Sequence, residues 1–394
     1  MAFTQSGAAS GFDMALVQRG ARLRRTPYFE ATQRHGAQGY TVYNHMLFPI
    51  RFDSFDAEFD ALLNAVTVWD VSVERCLEIS GPDGARFAQL LTPRDLGKCA
   101  VGQGKYVLIC DADGGIINDP VMTRMDENTF WFALASSDAL LFARGLRHAY
   151  PELDVTIREA DVAPMQIQGP KSRDLMRDLV GEGILELKYY WWTRAEVRGI
   201  PVVITRTGWT SEVGYEIYLL DTSRGNELWD AVMAAGEPYG VRPTGPSDIR
   251  RIEGAIFNWG ADMTYENNPL EMGLDRLVGW NLDDAACISI GALRRIREAG
   301  VSRRIVGVEL DGDPFPALNF TKWPAYRSSD DERIGKVTSA IYSPRLDRNI
   351  GYCWVPADLA EQGTRLRVES EWGSRSATVV PMPFVDPEKR IPVS

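Results

Sequence analysis

The chain has 394 residues, 45% hydrophobic and 25% charged, with a net charge of −11, which suits a globular protein of two or three packed units. No run of Lys and Arg exceeds a few residues, so the acidic balance excludes a general nucleic-acid binder. No stretch of about 20 apolar residues is present to span a membrane, and the first residues lack the apolar core of a signal peptide.

Five scattered cysteines, Cys76, Cys99, Cys110, Cys287 and Cys353, form no CxxC pair and read as reduced, which together with the missing signal predicts a cytoplasmic protein. The three histidines His35, His45 and His148 have no second ligand at metal-binding spacing, so no metal site is expected.

In chain order, residues 1–25 are expected to form a mobile N-terminal arm in which RLRR at 22–25 is solvated, with ordered structure from Thr26. Apolar residues at helical spacing (Phe55, Phe59, Leu62, Leu63, Val66) predict a helix within 54–67, followed by a strand at 68–71. A strand at 76–79 leads through Gly81 and Pro82 into a helix at about 83–91 that Pro93 ends. Strands at 106–110 and 116–122 flank DADGG and predict a hairpin. That loop is no phosphate cradle, since it lacks GxGxxG spacing and a following helix.

A strand at 130–135 and a helix at 138–148 complete this half. A parallel order follows: strand 165–167, a helix after Gly169 and Pro170, strands 199–206 and 215–220, and a helix near 226–235. ISGPDGARFAQLL and IQGPKSRDLMRDLV share the pattern strand, Gly-Pro, helix, which points to two related α+β halves. Helical residues 291–299 precede short β segments at 305–310, 335–341, 351–355, 365–368 and 377–380, the spacing of a small all-β domain. The expected division is 26–290 (two intertwined subdomains), 291–304 (connecting helix) and 305–394 (β domain).

Within RTGWTSEVGYEIYLL, 206–220, a Gly-bracketed turn carrying Trp209 enters a strand on which Glu216 and Tyr218 share one face and Tyr215 and Ile217 the other. A carboxylate amid apolar neighbours is costly without a partner. Its two acceptor oxygens suit a planar N–H/NH2 edge, either a guanidinium such as that of Arg206 or a ligand.

IQGPKS at 167–172, TGWTSEVGYEIYL at 207–219, RIEGAIFNWGADM at 251–263, NPLEMGLDRLV at 268–278, GKVTSAIYSPRLDRNIGY at 335–352 and VVPMPFVDP at 379–387 run in family order over nearly the whole chain. In these segments the chain resembles the tetrahydrofolate-dependent aminomethyltransferase family, that of the glycine-cleavage T-protein. The resemblance implies a three-domain α+β fold, with two related α+β domains around a folate channel and a C-terminal small β-barrel or jelly-roll domain. TPYFEATQRHGAQGYTVYNHMLFP, VWDVSVERCLEISGP, LLTPRDL and GGIINDPVM are most similar to the dimethylsulfoniopropionate-demethylating branch. Asn118-Asp119 where the T-protein has Asp-Asp, and Trp209 where it has Tyr, depart from the glycine-cleavage pattern.

The resemblance implies that Glu216 binds the pterin of tetrahydrofolate as co-substrate. Asp119, before Pro120 and so biased towards extended backbone, would lie near the reacting nitrogen or else only cap a turn. Tyr106 matches an aromatic beside the folate or packs in the core. Arg251 contacts the folate tail or, with Glu253, holds domains together on a helix expected to stop near Gly260. Trp209 either packs under a loop or forms a cation–π contact with a sulfonium or ammonium donor, with Tyr43 and Tyr218, and less so Trp191 and Trp192, as further walls.

The expected activity is methyl transfer from dimethylsulfoniopropionate to N5 of tetrahydrofolate, giving 5-methyltetrahydrofolate and methylmercaptopropionate without a metal or cobalamin. The alternatives are demethylation of a quaternary ammonium or of an aryl methyl ether, the latter with His45 or Tyr43 as acid; glycine-cleavage-type aminomethyl transfer; and a non-catalytic folate-binding module. The expected partners are the small-molecule donor and folate. Neither the oligomeric state nor the group that binds the donor carboxylate follows from the sequence.

Overall fold

The computed structural model describes residues 20–329 and 332–394. Of the expected arm, residues 1–19 lie outside the described residues. Within 20–25 the backbone is fastened rather than free: Arg24 bonds His45 and Leu47 through its backbone and pairs with Glu159 at 2.8 Å.

Two antiparallel sheets dominate the first 243 residues. The six-stranded sheet runs in the order Trp192–Val197, Ile200–Thr205, Gly214–Leu219, Ala163–Gln168, Val66–Asp70, Val241–Pro243, and its last pair is parallel. The five-stranded sheet runs Thr156–Glu159, Cys76–Ser80, Phe130–Ala133, Val121–Arg124, Gly104–Tyr106. Val66–Asp70 and Cys76–Ser80 are consecutive yet belong to different sheets, so the turn between them crosses from one half to the other. Each half repeats the strand-to-helix step, Cys76–Ser80 into Gly84–Leu91 and Ala163–Gln168 into Ser172–Val180.

Period-2 alternation sets the faces of the six-stranded sheet. Tyr215, Ile217 and Leu219 enter a core with Leu175, Met176, Leu228 and Trp229 from the covering helices, which leaves Glu216 and Tyr218 on the opposite face. The Phe55–Asn64 helix begins where the Ser54 side chain accepts the Ala57 N–H, a standard N-cap.

The chain from Arg303 forms a closed six-stranded barrel, in the order Arg303–Leu310, Arg348–Pro356, Arg333–Ser343, Trp323–Arg327, Arg365–Ser370, Gly373–Val380. The helix Asp248–Glu253 packs on it, with the Tyr352 hydroxyl donating to the Arg251 and Ile252 carbonyls and the Ser343 hydroxyl to Glu253. No helix among the described residues is long and apolar enough to cross a membrane.

Three local expectations differ. The DADGG hairpin is not continuous: Ile109–Cys110 pairs with Ile116–Asn118, and Gly104–Tyr106 pairs separately with Val121–Arg124. Pro120 lacks an N–H and cannot carry the ladder through, so the strand breaks at Asp119. The helix bearing Arg251 ends at Glu253 rather than near Gly260, because Ala255 adopts a left-handed φ of 54°. Trp192–Val197 and Trp323–Arg327 are two of the strands that escaped the sequence reading, with Gly39–Tyr43, Met46–Arg51, Thr156–Glu159 and Val241–Pro243. The first is a half-exposed edge with a mixed polar pattern, the second a barrel strand interrupted by a bulge.

Candidate active site

Register places Gln166 and Thr205 on the strands either side of Glu216, directly opposite it. The Glu216 carboxylate, 4% exposed, receives Thr207 Oγ1 at 2.5 Å, Gln166 Nε2 at 2.7 Å, Thr205 Oγ1 at 3.3 Å and Tyr218 OH at 3.5 Å. All four donors are neutral. Burial raises its pKa against the pull of these bonds. Arg206, the internal partner considered from sequence, instead donates to the backbone carbonyls of Leu187 and Ser394. Gln166 Oε1 sits buried beside Glu216 with no partner among the described residues, an unmet acceptor next to an acceptor pair.

The turn after Thr205 is clamped by the Gln168 amide, which donates to the Thr207 and Tyr215 carbonyls and accepts from Thr210 Oγ1 at 2.7 Å. A Cβ on Gly208 would fall 2.1 Å from Gln168 Oε1, and one on Gly214 2.5 Å from Gln168 Cδ. The two glycines that bracket the turn are therefore dictated by close approach.

Trp209 projects from this turn onto Leu62, Trp69 and Val71. The cation over its ring belongs to the protein: the Arg251 guanidinium lies 5.8 Å from the centroid. Arg251, 1% exposed, also donates to Asp248 at 2.6 Å, Asp262 at 3.0 Å and Ser339 at 2.9 Å. It thus fastens its helix to the loop at 262 and to the barrel. Arg251→Ala leaves the Asp262 carboxylate buried without its cation, and urea denaturation is expected to read a loss of about 3–5 kcal/mol. A loss below about 1 kcal/mol would mean that the three contacts are dispensable.

Asp119 stands at the hairpin break. Tyr106 OH donates to its Oδ2 at 3.1 Å. Burial, with the Asp262 charge as a smaller contribution, pushes its carboxyl up to about 8, although part of its surface stays open. The neighbouring Asn118 is structural, its side chain bonding Ala135 O at 2.9 Å, Ser137 Oγ at 2.7 Å and the Ala135 N–H at 3.1 Å. Asn44 grips the same loop through Leu134 O at 3.1 Å and Ser136 Oγ at 3.1 Å, and reaches Val73 O at 2.9 Å. Residues 134–137 thereby hold three segments together, and with them Tyr43, Glu74 and Asp119.

Glu74 was not singled out in the sequence. Its carboxyl is held well above the usual range by burial and then by the charges of Glu216 and Asp119. Tyr43, tilted at 59° against Phe48 with centroids 5.7 Å apart, is raised by burial, Glu74 and Asp119. Tyr218 is raised by burial, Glu216 and Glu74. The structure thus groups Asp119, Glu216, Tyr43, Tyr106 and Tyr218 with Glu74, and places Trp209 and Arg251 in an adjoining cluster that reaches Asp119 through Asp262. Trp192 packs with Tyr218, its indole N–H donating to Arg124 O. A cavity of about 360 Å³ on the barrel flank, bordered by Arg303, Lys322, Arg333 and Lys336, contains none of the expected site residues.

Comparison with known proteins gives consistent matches. Residues 28–282 match the GCVT N-terminal domain and residues 303–386 the glycine cleavage T-protein C-terminal barrel domain. The chain is 37% identical to the dimethylsulfoniopropionate demethylase of Ruegeria pomeroyi over 93% of its length and 98% of that protein's. It is 31% identical to an aminomethyltransferase of Shouchella clausii, covering 92% of this chain and 98% of the other. The glycine-cleavage aminomethyltransferase T structure from Bartonella henselae superposes with a TM-score of 0.83 at 22% identity, over 92% of this chain and 98% of that one, and so shares the fold.

Proposed function

Because this chain belongs to the glycine cleavage T-protein family of aminomethyltransferases, we propose that it moves a methyl group from dimethylsulfoniopropionate to N5 of tetrahydrofolate. Members of this family are tetrahydrofolate-dependent transferases, and this chain is an enzyme of that type. What supports the reading is that Glu216 on a central strand and Asp119 at the hairpin break both lie near enough to Glu74 for their charges to act on its carboxyl.

The residues present fit the folate. Glu216 offers two acceptor oxygens on a rigid strand to the N3–H and 2-amino edge of a pterin, and the unmet Gln166 Oε1 offers a third acceptor alongside. Arg94, which donates to Tyr106 O at 2.5 Å, and Arg276, whose charge acts on Tyr106 and Tyr190, suit the carboxylates of the folate tail. We assign Asp119 to N5: its carboxylate stabilises the positive charge that builds as the N5 lone pair takes the methyl, and accepts the proton that leaves. The C–S electron pair stays on sulfur, which departs as a neutral thioether. A sulfonium needs no acid to leave, so alignment of sulfur, methyl carbon and N5 supplies much of the rate.

Incubation with tetrahydrofolate and each candidate donor in turn tests the reading. 5-Methyltetrahydrofolate should form from dimethylsulfoniopropionate and not from an aryl methyl ether. Formation of 5,10-methylenetetrahydrofolate from an aminomethyl donor would indicate the glycine-cleavage reaction instead. Folate binding without turnover of any donor would mark a non-catalytic module.

Tyr106→Phe gives a further test. The phenol hydrogen bond lowers the Asp119 pKa, so its removal raises that pKa and moves the acidic limb of kcat/KM to higher pH. An unmoved pH profile would show that the phenol does not act on the reacting carboxylate.

We divide the chain as 26–290, 291–304 and 305–394, and place it in the cytoplasm, where five buried unpaired cysteines are expected.

A further inference from the structure

Glu74 lies in the crossing turn between Val66–Asp70 and Cys76–Ser80, with its N–H bonded to Val71 O at 2.9 Å. Both flanks are fixed. Val73 O accepts Asn44 Nδ2, and Arg75 pairs with Glu159 at 2.6 Å, which turns the Arg75 cation away from the site. The Glu74 side chain is half-buried, and among the described residues no hydrogen bond or ion pair reaches its carboxylate.

Its neighbours in the site have other commitments. Glu216 is assigned to the pterin edge, Asp119 to N5 with Tyr106 donating to it, and the Arg251 guanidinium is taken up by Asp248 and Asp262. The loop 134–137 ties the turn of Glu74 to Asn44, beside Tyr43, and to Asn118, beside Asp119, so Glu74 stands half-buried next to the reacting carboxylate with no protein cation assigned to it. By itself such a pair holds protons rather than charge, and a positive charge brought from outside lets it ionise. Folate presents polar N–H edges and an anionic tail, so the charge falls to the other substrate.

We infer that Glu74 is the counter-ion of the methyl donor and, with Tyr43 and Tyr218, selects a donor whose leaving atom is cationic over a neutral one of the same shape. This rests on the donor reading above and extends it to a specificity residue. The donor loses its charge as the methyl departs, so Glu74 binds the ground state more strongly than the transition state. Its loss should therefore raise KM and leave kcat unchanged or higher, and the neutral thioether product should be released readily.

The test pairs each cation with its uncharged carbon isostere: dimethylsulfoniopropionate with 4-methylpentanoate, and glycine betaine with 3,3-dimethylbutanoate. In calorimetry on the full-length protein, the wild type should favour the cation by at least about tenfold and Glu74→Gln by less than about threefold. The KM of Glu74→Gln for dimethylsulfoniopropionate should rise about tenfold with kcat retained. Equal binding of both members of each pair by the wild type overturns the inference, as does an unchanged KM in a folded Glu74→Gln protein. Should that variant not fold, the wild-type ratios decide alone. Absence of 5-methyltetrahydrofolate from dimethylsulfoniopropionate defeats the donor reading separately. The betaine pair then still judges Glu74: a cation preference lost in Glu74→Gln sustains it, and no preference refutes it.

Discussion

Replacing Glu216 by alanine is expected to weaken tetrahydrofolate binding by at least about tenfold, a loss of more than about 1.4 kcal/mol, read by calorimetry. The carboxylate is 4% exposed and stands on a central strand between Gln166 and Thr205, where alanine leaves no acceptor in its place. Thr205, Thr207, Gln166 and Tyr218 orient it before any ligand arrives. A pterin edge that meets a preoriented pair of oxygens gains charge-assisted bonds without an ordering cost. Removal leaves Thr207 Oγ1 and Gln166 Nε2 short of an acceptor, at about 1–3 kcal/mol each if unsatisfied. It also relieves the burial that raises the Glu216 pKa. Melting therefore reads the balance of these two opposing effects, while calorimetry reads the lost acceptor pair, and binding equal to wild type would remove Glu216 from the folate site.

The strand that presents Glu216 was legible because its signal is local: an alternation of period 2 fixes which residues share a face whatever the neighbouring strands. That Thr205, Thr207 and Gln166, rather than Arg206, satisfy the carboxylate was not legible, because register is a tertiary property, for the neighbouring strand of Thr205 as much as for that of Gln166, 50 positions away. Asp119-Pro120 carried a visible signal. A proline inside an apparently continuous strand marks a break, and the hairpin breaks there.

Glu74 carried a fainter one. A lone carboxylate in the short turn of VSVERCLEIS reads as solvated until the segments at Asn44 and 134–137 close over it, and both are distant in sequence. Trp209 is the opposite case. An aromatic on a Gly-bracketed turn suggested a ligand cation, yet the cation over the ring is Arg251, whose helix is fixed by barrel contacts invisible to local pattern.

Asp119→Asn is expected to lower kcat by at least about 100-fold while the folate still binds, since an amide can neither take the departing proton nor offset the charge at N5. The same substitution should change stability with a definite sign. Burial holds the Asp119 carboxyl at about 8 in the folded protein, against about 3.9 in an unfolded chain. Between those values the folded state keeps a proton that the unfolded state has released, so this group's contribution to stability is full below about pH 4 and is lost as pH rises through about 8. Asparagine does not ionise and escapes that loss. The variant should melt close to wild type near pH 4 and at a higher temperature near pH 8, the reverse of what a purely structural carboxylate would give. Activity supplies the complementary limb. If the ionised form works, wild-type kcat/KM rises with pH towards about 8. The limb in kcat should lie lower, because the cation of the bound donor beside the carboxylate favours its ionised form. A stable Asp119→Asn protein with near-normal kcat, or one that melts below wild type at pH 8, would show that the buried carboxyl serves the fold and that the proton leaves N5 by another route.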